Sequence, residues 1–264
     1  MTTVLVALTG AAKWTMKDGS ARPSGFWAEE LIDPYQIFTA AGIDVVLGTP
    51  GGVAAPLQEY SLDESMTGSA GRTAQLRAAL AGLAGALAHP RPLAAIDPDG
   101  VDAVFVPGGT GPMEDLYDDP DLGRILAALQ ARTAPVATVC HGTIGLLSAR
   151  PGGAWLFAGY QMTGYTDEEE AQGGPGDAAP FTLESRLRAE GANFTAGAPW
   201  SEFTVTDRNL ITGQNPGSAA AVARQLVTAL CNAGRFSVSK LVVTVRLFWW
   251  RGESLAPAEP YYKT

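Results

Sequence analysis

The chain has 264 residues, of which 46% are hydrophobic and only 17% are charged, so it can bury a sizeable core. Its net charge of -9 argues against a nucleic-acid surface, which needs a basic patch to neutralise phosphates. No continuous apolar run approaches the length of a membrane span. We therefore expect neither a nucleic acid nor a membrane as a partner.

The number and spacing of the cysteines and histidines indicate the cellular compartment and whether a metal or another cofactor is expected. The two cysteines, Cys140 and Cys231, lie far apart and do not form a disulfide framework, which favours a reducing cytoplasm. The two histidines, His89 and His141, are also widely separated, and there is no Cys-x-x-Cys motif. We expect no metal site and no other cofactor.

Short apolar runs alternate with helix-like stretches in the first half of the chain. The apolar residues in these runs are continuous and do not alternate with polar ones, which is typical of strands buried on both faces of a parallel sheet; the runs cover residues 3–9, 43–48, 101–107 and 134–140. Helical patterns follow the first run and precede the third and fourth, over residues 25–42, 73–88 and 120–132. The alternation predicts an α/β fold with a doubly wound, mostly parallel sheet flanked by helices. Ligands bind such sheets beyond the carboxyl ends of the strands.

The second half of the chain is less regular. Residues 159–181 are acidic and rich in glycine, and we expect part of them to be a mobile loop. Residues 209–230 predict a short strand, a turn and a closing helix that Ser218 could cap. We predict one α/β domain over residues 1–231, with a small helical insertion or cap at about 50–98. Residues 232–264 form a C-terminal extension, read as an added strand or an oligomer contact, and we expect a homodimer.

The segment "ATVCHGTIGL" contains Cys140 between an apolar run and a predicted helix. A nucleophile on a turn between a strand and a helix projects beyond the sheet edge, and a helix N-terminus stabilises a thiolate. The alternative is a buried structural cysteine at the end of a strand. The Cys-His dipeptide alone supports the nucleophile and the structural cysteine equally. His141 could act as a base, but it would need a carboxylate from elsewhere in the chain to orient its ring.

Three further segments carry candidate site residues. Gly108, Gly109 and Thr110, within "PGGTG", could turn backbone amides toward an oxyanion, although most Gly-Gly pairs only form turns. Glu29 and Glu30 follow the first strand; adjacent carboxylates are usually solvated, and one turned toward a thiol would have a raised pKa. Four aromatic residues suggest an apolar pocket, although core packing explains any single one better: Trp14, Phe26, Trp27 and Trp200.

Five segments in this order resemble the ThiJ/PfpI superfamily over roughly residues 2–231: "GFWAEELIDPY", "PGGTGPMEDL", "ATVCHG", "GYQMTGYTDEEE" and "NLITGQNPGSA". The resemblance is greatest to the chaperone/glyoxalase III-like branch and implies the α/β sandwich of class I glutamine amidotransferases. It implies that Cys140 is the nucleophile, that His141 is its partner, and that Glu30, not Glu29, reaches the thiol. It also implies an acid that orients His141, best matched by Glu170, with Asp167 to Glu169 as alternatives.

The chain departs from this branch at Thr110, which stands where a histidine is usual. The amides of Gly109 and Thr110 remain for an oxyanion pocket, with Trp27 beside it, but an imidazole used as a metal ligand by some members is lost. The resemblance implies a cofactor-independent, glyoxalase III-type enzyme acting on a small α-oxoaldehyde such as methylglyoxal. Two alternatives stay open: a hydratase, lyase or hydrolase for a specialised biosynthetic metabolite, and a redox-sensing or holdase chaperone protein. A glutaminase ranks lowest, because no histidine follows His141.

Overall fold

Seven strands form the central sheet of the protein, for which a computed structural model describes residues 1–234. In spatial order they are β10 (Thr204–Asp207), β11 (Leu210–Gly213), β7 (Val136–Val139), β6 (Ala103–Val106), β1 (Thr3–Ala7), β4 (Asp44–Thr49) and β5 (Arg91–Pro92). All neighbours pair in parallel except β10, which runs antiparallel to β11 at one edge. The predicted doubly wound, mostly parallel α/β sheet is confirmed.

The central strands are uniformly apolar because both faces of the sheet are covered. Along β1, Val4 and Val6 belong to one apolar core and Leu5 and Ala7 to the other, as expected when successive side chains point to opposite faces. These four residues are fully buried. Each face therefore has its own helical layer, and the exposed residues of the sheet lie mainly on its edge strands β5 and β10.

The helices divide between the two faces. They are α1 (Ala28–Ala40), α2 (Glu64–Thr67), α3 (Ala70–Gly82), α4 (Ala84–Ala88), α5 (Pro112–Asp115), α6 (Pro120–Ala131), α7 (Asp167–Gly173), α8 (Leu183–Ala189) and α9 (Ala219–Asn232). Helices α1 and α9 pack together on the Val4 face, whereas α6, α8 and a 3₁₀ helix over Cys140–Ser148 cover the Leu5 face. Two small sheets complete the structure: β2 (Lys13–Thr15) with β3 (Ala21–Pro23), and β8 (Gln161–Met162) with β9 (Asn193–Phe194).

Three local predictions need correction. The helix predicted over residues 73–88 is two helices, α3 and α4, interrupted at Leu83, where Gly82 and Gly85 weaken the helical preference. The residues after Cys140 form a 3₁₀ helix instead of an α-helix. Ser218 does not cap α9, because its hydroxyl accepts from the Phe203 amide at 3.0 Å and donates to the Asn215 side chain at 3.2 Å.

The acidic segment expected to contain a mobile loop forms the short helix α7. Thr166 and Glu169 make a reciprocal capping box at its N-terminus, in which each side chain accepts from the other residue's backbone amide. The acidic residues then favour the helix, because negative charge is stabilised in a first helical turn. The acidic part of the run, Asp167–Gly173, is therefore helical with its own capping signal, and a mobile loop elsewhere in residues 159–181 stays a prediction.

The segment predicted as an insertion, residues 50–98, carries α2 to α4 and also β5, which joins the central sheet. Its Leu62 and Leu76 pack against Ala28 and Ile32 of α1. The oligomer contact predicted for residues 232–264 concerns residues that, after 234, lie outside the part of the chain described. None of the helices over residues 1–234 combines the length and apolarity that a membrane crossing needs.

Candidate active site

Cys140 lies on a sharp turn at the carboxyl end of β7. Its φ angle is 55°, in the left-handed region that residues other than glycine rarely adopt. Gly142 makes the turn possible, because a Cβ atom there would lie 2.4 Å from the Val106 carbonyl oxygen. Backbone strain of this kind costs about 1–3 kcal/mol and persists where the surrounding structure enforces it. The turn places the thiol at the edge of the sheet, 3% exposed, where parallel α/β proteins bind ligands.

His141 meets the thiol of its own neighbour in sequence. Its Nδ1 atom lies 3.4 Å from Cys140 Sγ, and its Nε2 atom lies 2.8 Å from Glu170 Oε2. Side chains of adjacent residues point apart on an extended strand, but the left-handed turn at Cys140 brings these two together. Cys140, His141 and Glu170 therefore form a continuous chain of polar contacts, with the carboxylate placed to orient the ring.

Glu30 approaches the thiol from α1, on the other side of the turn. Its side chain is fully buried, and its Oε2 atom accepts a 2.6 Å hydrogen bond from the Gly108 amide. The carboxyl also interacts electrostatically with the Cys140 thiol, and within residues 1–234 its Oε1 atom has no hydrogen-bond partner. Burial raises the pKa of Glu30 to about 8, and burial followed by the charge of Glu30 raises the pKa of Cys140 well above its ordinary value. Both groups therefore favour their protonated forms at neutral pH.

The neighbouring Glu29 has a different environment. Its carboxylate forms a 2.9 Å ion pair with Arg72 of α3, which also pairs with Asp33 at 2.6 Å. Burial raises the pKa of Glu29 against the lowering effect of Arg72. Of the two adjacent glutamates, Glu30 thus lies beside the thiol, whereas Glu29 forms an ion pair with Arg72 in the segment that follows β4.

Glu169 and Glu170 are both buried but have separate partners. Glu170 contacts His141, whereas Glu169 Oε2 accepts from Thr166 and its Oε1 accepts from the Trp200 amide, Gln214 and Asn215. The sequence left open which acid from Asp167 to Glu170 orients the histidine. In the structure, Glu170 is the one of these four that contacts the His141 ring. Glu169 instead joins α7 to the loops around β11.

The glycine loop after β6 completes the surroundings of the thiol. A Cβ atom at Gly108 would lie 2.7 Å from Glu30 Oε2 and 2.8 Å from Cys140 Cβ, so only glycine fits there. Gly109 has a φ angle of +81°, and within residues 1–234 its amide has no hydrogen-bond acceptor. That amide, and the His141 amide beside the Cys140 sulfur, are the donors that could hold an oxyanion.

Thr110 does not provide the second amide that the sequence suggested. Its N–H donates to Gln58 Oε1 at 2.7 Å, and its hydroxyl forms a 2.7 Å hydrogen bond with the Ser24 hydroxyl. Both polar groups are engaged within the protein. The expectation that Thr110 holds an oxyanion through its amide is therefore wrong for this structure, because Gln58, which carries no recognisable motif, already occupies that amide.

A pocket of about 120 Å³ opens at Cys140. Its walls include Gly109, Thr110, Cys140 and His141, together with the aromatic residues Trp27, Tyr60, Tyr165 and Trp200. Of the aromatic residues noted in the sequence, Trp27 and Trp200 line the pocket, whereas Trp14 and Phe26 are 2% and 1% exposed core residues. Tyr60 and Tyr165 had no sequence signal, since a lone tyrosine between helices is commonly part of the core.

No group of three or more histidine, cysteine, aspartate or glutamate side chains is arranged to hold a metal ion in the described part of the chain. Glu30, Glu170 and His141 each already contact a protein group. A metal-free site stays a prediction.

The parallel sheet, the strained cysteine turn and the flanking glutamates define an α/β sandwich of the class I glutamine amidotransferase type. A model of the DJ-1/PfpI family matches residues 23–229. The chain belongs to the DJ-1/PfpI family, which confirms the resemblance noted from the sequence motifs.

Individual relatives fit the same assignment. Glyoxalase 3 of Candida albicans is 27% identical over 245 residues, covering 88% of this chain and 100% of that protein. Glutamine amidotransferase-like class 1 domain-containing protein 1 of Xenopus laevis is 29% identical over 215 residues, covering 81% and 88% of the two chains. The crystal structure of glyoxalase III from Candida albicans matches with a TM-score of 0.73 at 26% identity, over 86% of this chain and 97% of that one. The family therefore includes glyoxalases.

Proposed function

We propose that the protein is a cofactor-independent glyoxalase that converts an α-oxoaldehyde and water into a 2-hydroxy acid through a covalent adduct on Cys140. The observation that carries the proposal is the contact of one buried thiol with two proton-transferring groups, His141 at 3.4 Å and Glu30, at the end of a pocket. Relatives that bear the name glyoxalase support it. The reaction needs no external oxidant, because the aldehyde carbon is oxidised while the neighbouring ketone carbon is reduced.

In the first step, Cys140 Sγ forms a bond to the aldehyde carbon. Burial keeps the thiol protonated in the free enzyme, so removal of its proton accompanies the addition. His141 Nδ1 is the acceptor, and Glu170 stabilises the imidazolium from Nε2 at 2.8 Å. We expect the Gly109 amide, and the His141 amide beside the sulfur, to stabilise the negative charge that develops on the oxygen of the resulting hemithioacetal.

In the second step, the hydrogen on the adduct carbon leaves as a proton and a proton is returned to the neighbouring carbon. The ketone becomes an alcohol and the hemithioacetal becomes a thioester. Glu30 is suited to both transfers, because a carboxyl with a pKa of about 8 exchanges its proton readily near neutral pH. Water then cleaves the thioester, releasing the 2-hydroxy acid and restoring the thiol.

The test is turnover of methylglyoxal to lactate by the purified chain. Cys140→Ala removes the nucleophile, so we expect lactate formation to fall to the uncatalysed rate. Cys231→Ala is the matched control, because Cys231 is a half-buried thiol on α9, remote from the site, and we expect full activity. Turnover that survives in Cys140→Ala, or no turnover of any α-oxoaldehyde by the native protein, would overturn the proposal.

The redox-sensor alternative is less well supported by the environment of the thiol. Peroxide-sensing cysteines are accessible and have a lowered pKa. Cys140 is 3% exposed, and burial raises the pKa of its thiol. Intact-mass analysis after mild peroxide treatment would distinguish the two functions, since a sensor gains oxygen at Cys140 while a buried catalytic thiol does not.

A further inference from the structure

Aromatic rings line the pocket on two sides of Cys140. On the side of the glycine loop, the Trp27 and Tyr60 rings meet edge to face, 5.3 Å between centroids. On the side of His141, the Tyr165 ring lies 4.3 Å from the imidazole and 5.8 Å from the Trp200 ring. Aromatic rings favour a further ring in an offset or edge-to-face arrangement. The walls therefore suit an aromatic or similarly apolar group attached to the reacting carbonyl.

The size of the pocket points the same way. Its volume is about 120 Å³. An apolar cavity that binds benzene has about 150 Å³, so a single ring is the largest group that this somewhat smaller pocket suits. The methyl group of methylglyoxal would leave most of the aromatic walls without contact, and contacts that are not made contribute no binding energy.

The charges at the pocket disfavour an anionic substituent. Among the described residues, no lysine or arginine lines the pocket, whereas Glu29 does. Arg72 is already paired with Glu29 at 2.9 Å and with Asp33 at 2.6 Å. A carboxylate or phosphate on the substrate would meet a negative side chain without a free cation to offset it.

Thr110 offers little to a hydroxylated substituent. Its amide is used by Gln58 and its hydroxyl is hydrogen bonded to Ser24. A polar substituent placed against this wall would lose hydrogen bonds to water without regaining them in the pocket. The residue that replaces the expected imidazole thus adds to the apolar character of the site.

From these observations we infer that the substrates are α-oxoaldehydes with an uncharged, apolar substituent of about the size of a phenyl ring, and that Trp27 contributes to this selection. The inference rests on the proposed glyoxalase function. The fold alone does not specify this substrate class, because the reacting groups act on the two carbonyl carbons and not on the substituent attached to the ketone.

The test compares kcat/KM for phenylglyoxal, methylglyoxal and 4-carboxyphenylglyoxal, using the full chain. We expect phenylglyoxal to exceed methylglyoxal by about 10-fold or more, since even a single methylene in an apolar pocket is worth about 10-fold. The carboxylated analogue should fall below phenylglyoxal. Trp27→Ala should reduce the preference for phenylglyoxal, whereas Trp27→Phe, which keeps a ring, should retain most of it. Each preference compares two substrates on one enzyme, so a partly folded variant does not distort it.

The outcomes separate this inference from the proposed function. Turnover of methylglyoxal at an equal or higher kcat/KM would overturn the substrate class and leave the glyoxalase function standing. An unchanged preference in Trp27→Ala would overturn the part assigned to Trp27. If no α-oxoaldehyde were turned over, binding of acetophenone and acetone to Cys140→Ser, followed by tryptophan fluorescence, would test the pocket by itself. Saturable binding of acetophenone alone supports the apolar pocket, and its absence overturns it.

Discussion

Two pairs of adjacent glutamates approach the Cys140–His141 dipeptide, one from α1 and one from α7, and in each pair the two residues differ in what they contact. Glu30 reaches the thiol and Glu170 reaches the imidazole. Their neighbours contact other residues instead. Glu29 forms an ion pair with Arg72, and Glu169 accepts hydrogen bonds from the Trp200 amide and other donors around α7.

The two site glutamates also differ from each other. Glu170 faces an imidazole that can become positively charged, whereas Glu30 faces a neutral thiol and one backbone amide. Within residues 1–234 no cation counteracts burial at Glu30, and burial raises its pKa to about 8. We therefore expect the same residue type to serve as a proton carrier at Glu30 and as an orienting group at Glu170, according to its partner.

Among the glutamate variants, the largest loss of activity is expected at Glu30. In Glu30→Gln the amide oxygen can still accept from Gly108, but the side chain can no longer take up a proton, so kcat should fall by about 10²- to 10⁴-fold. Asp33→Asn is the matched control on the same helix, because Asp33 pairs with Arg72 away from the thiol. Steady-state kinetics with any accepted α-oxoaldehyde checks this. Equal losses of kcat in Glu30→Gln and Asp33→Asn would contradict a specific catalytic role for Glu30.

The pH dependence of stability tests the raised pKa of Glu30 directly. Its pKa in the folded protein is about 8 against an ordinary value of 4.5, so the folded state holds the proton more tightly. This contribution to stability is complete below pH 4.5 and is lost as the pH rises through 8. One pKa unit corresponds to about 1.36 kcal/mol, so the native protein should lose several kcal/mol that Glu30→Gln does not lose. Urea denaturation of both proteins at pH 5 and 8.5 measures the difference; parallel pH profiles would contradict it.

Glu169 should matter for folding. In Glu169→Gln, whichever carboxylate oxygen becomes an NH₂ group faces donors that now have no acceptor, on the Thr166 side or on the Asn215 side. We expect a loss of about 2–4 kcal/mol in the free energy of unfolding. Glu168→Gln, at an exposed position of the same helix, should change it by less than about 0.5 kcal/mol. Chemical denaturation compares the two, and an unaffected Glu169→Gln would show that this network is dispensable.

A smaller effect on activity is expected at Glu170. In Glu170→Gln the amide can still hydrogen bond to His141 Nε2 but cannot stabilise an imidazolium, so kcat should fall by about 10- to 100-fold. The unfolding midpoint should change less than in Glu169→Gln. A kcat equal to that of the native enzyme would mean that the His141–Glu170 contact is structural.

Much of the sheet could be predicted from single runs of residues. Val4 to Ala7 are apolar without interruption because both faces of β1 are covered, and that pattern alone indicates a central parallel strand. The break at Leu83 and the role of Ser218 were not predictable in the same way. A run of alanine and leucine supports one long helix or two short ones, and a serine hydroxyl bonds to whichever group the tertiary fold brings nearest.

The sequence determined by itself the α/β class, the Cys-His dipeptide at a strand end, and two acidic segments that could serve it, Glu29–Glu30 and Asp167–Glu170. The family resemblance implied Glu30 and Glu170, and the tertiary structure placed these two against the dipeptide, because neighbours on a helix point about 100° apart and cannot both face the same group. Only the tertiary structure decided that Gln58 takes the Thr110 amide and that Tyr60 and Tyr165 line the pocket. These residues are distant in sequence, and no local pattern records a contact that forms only when separate elements pack together.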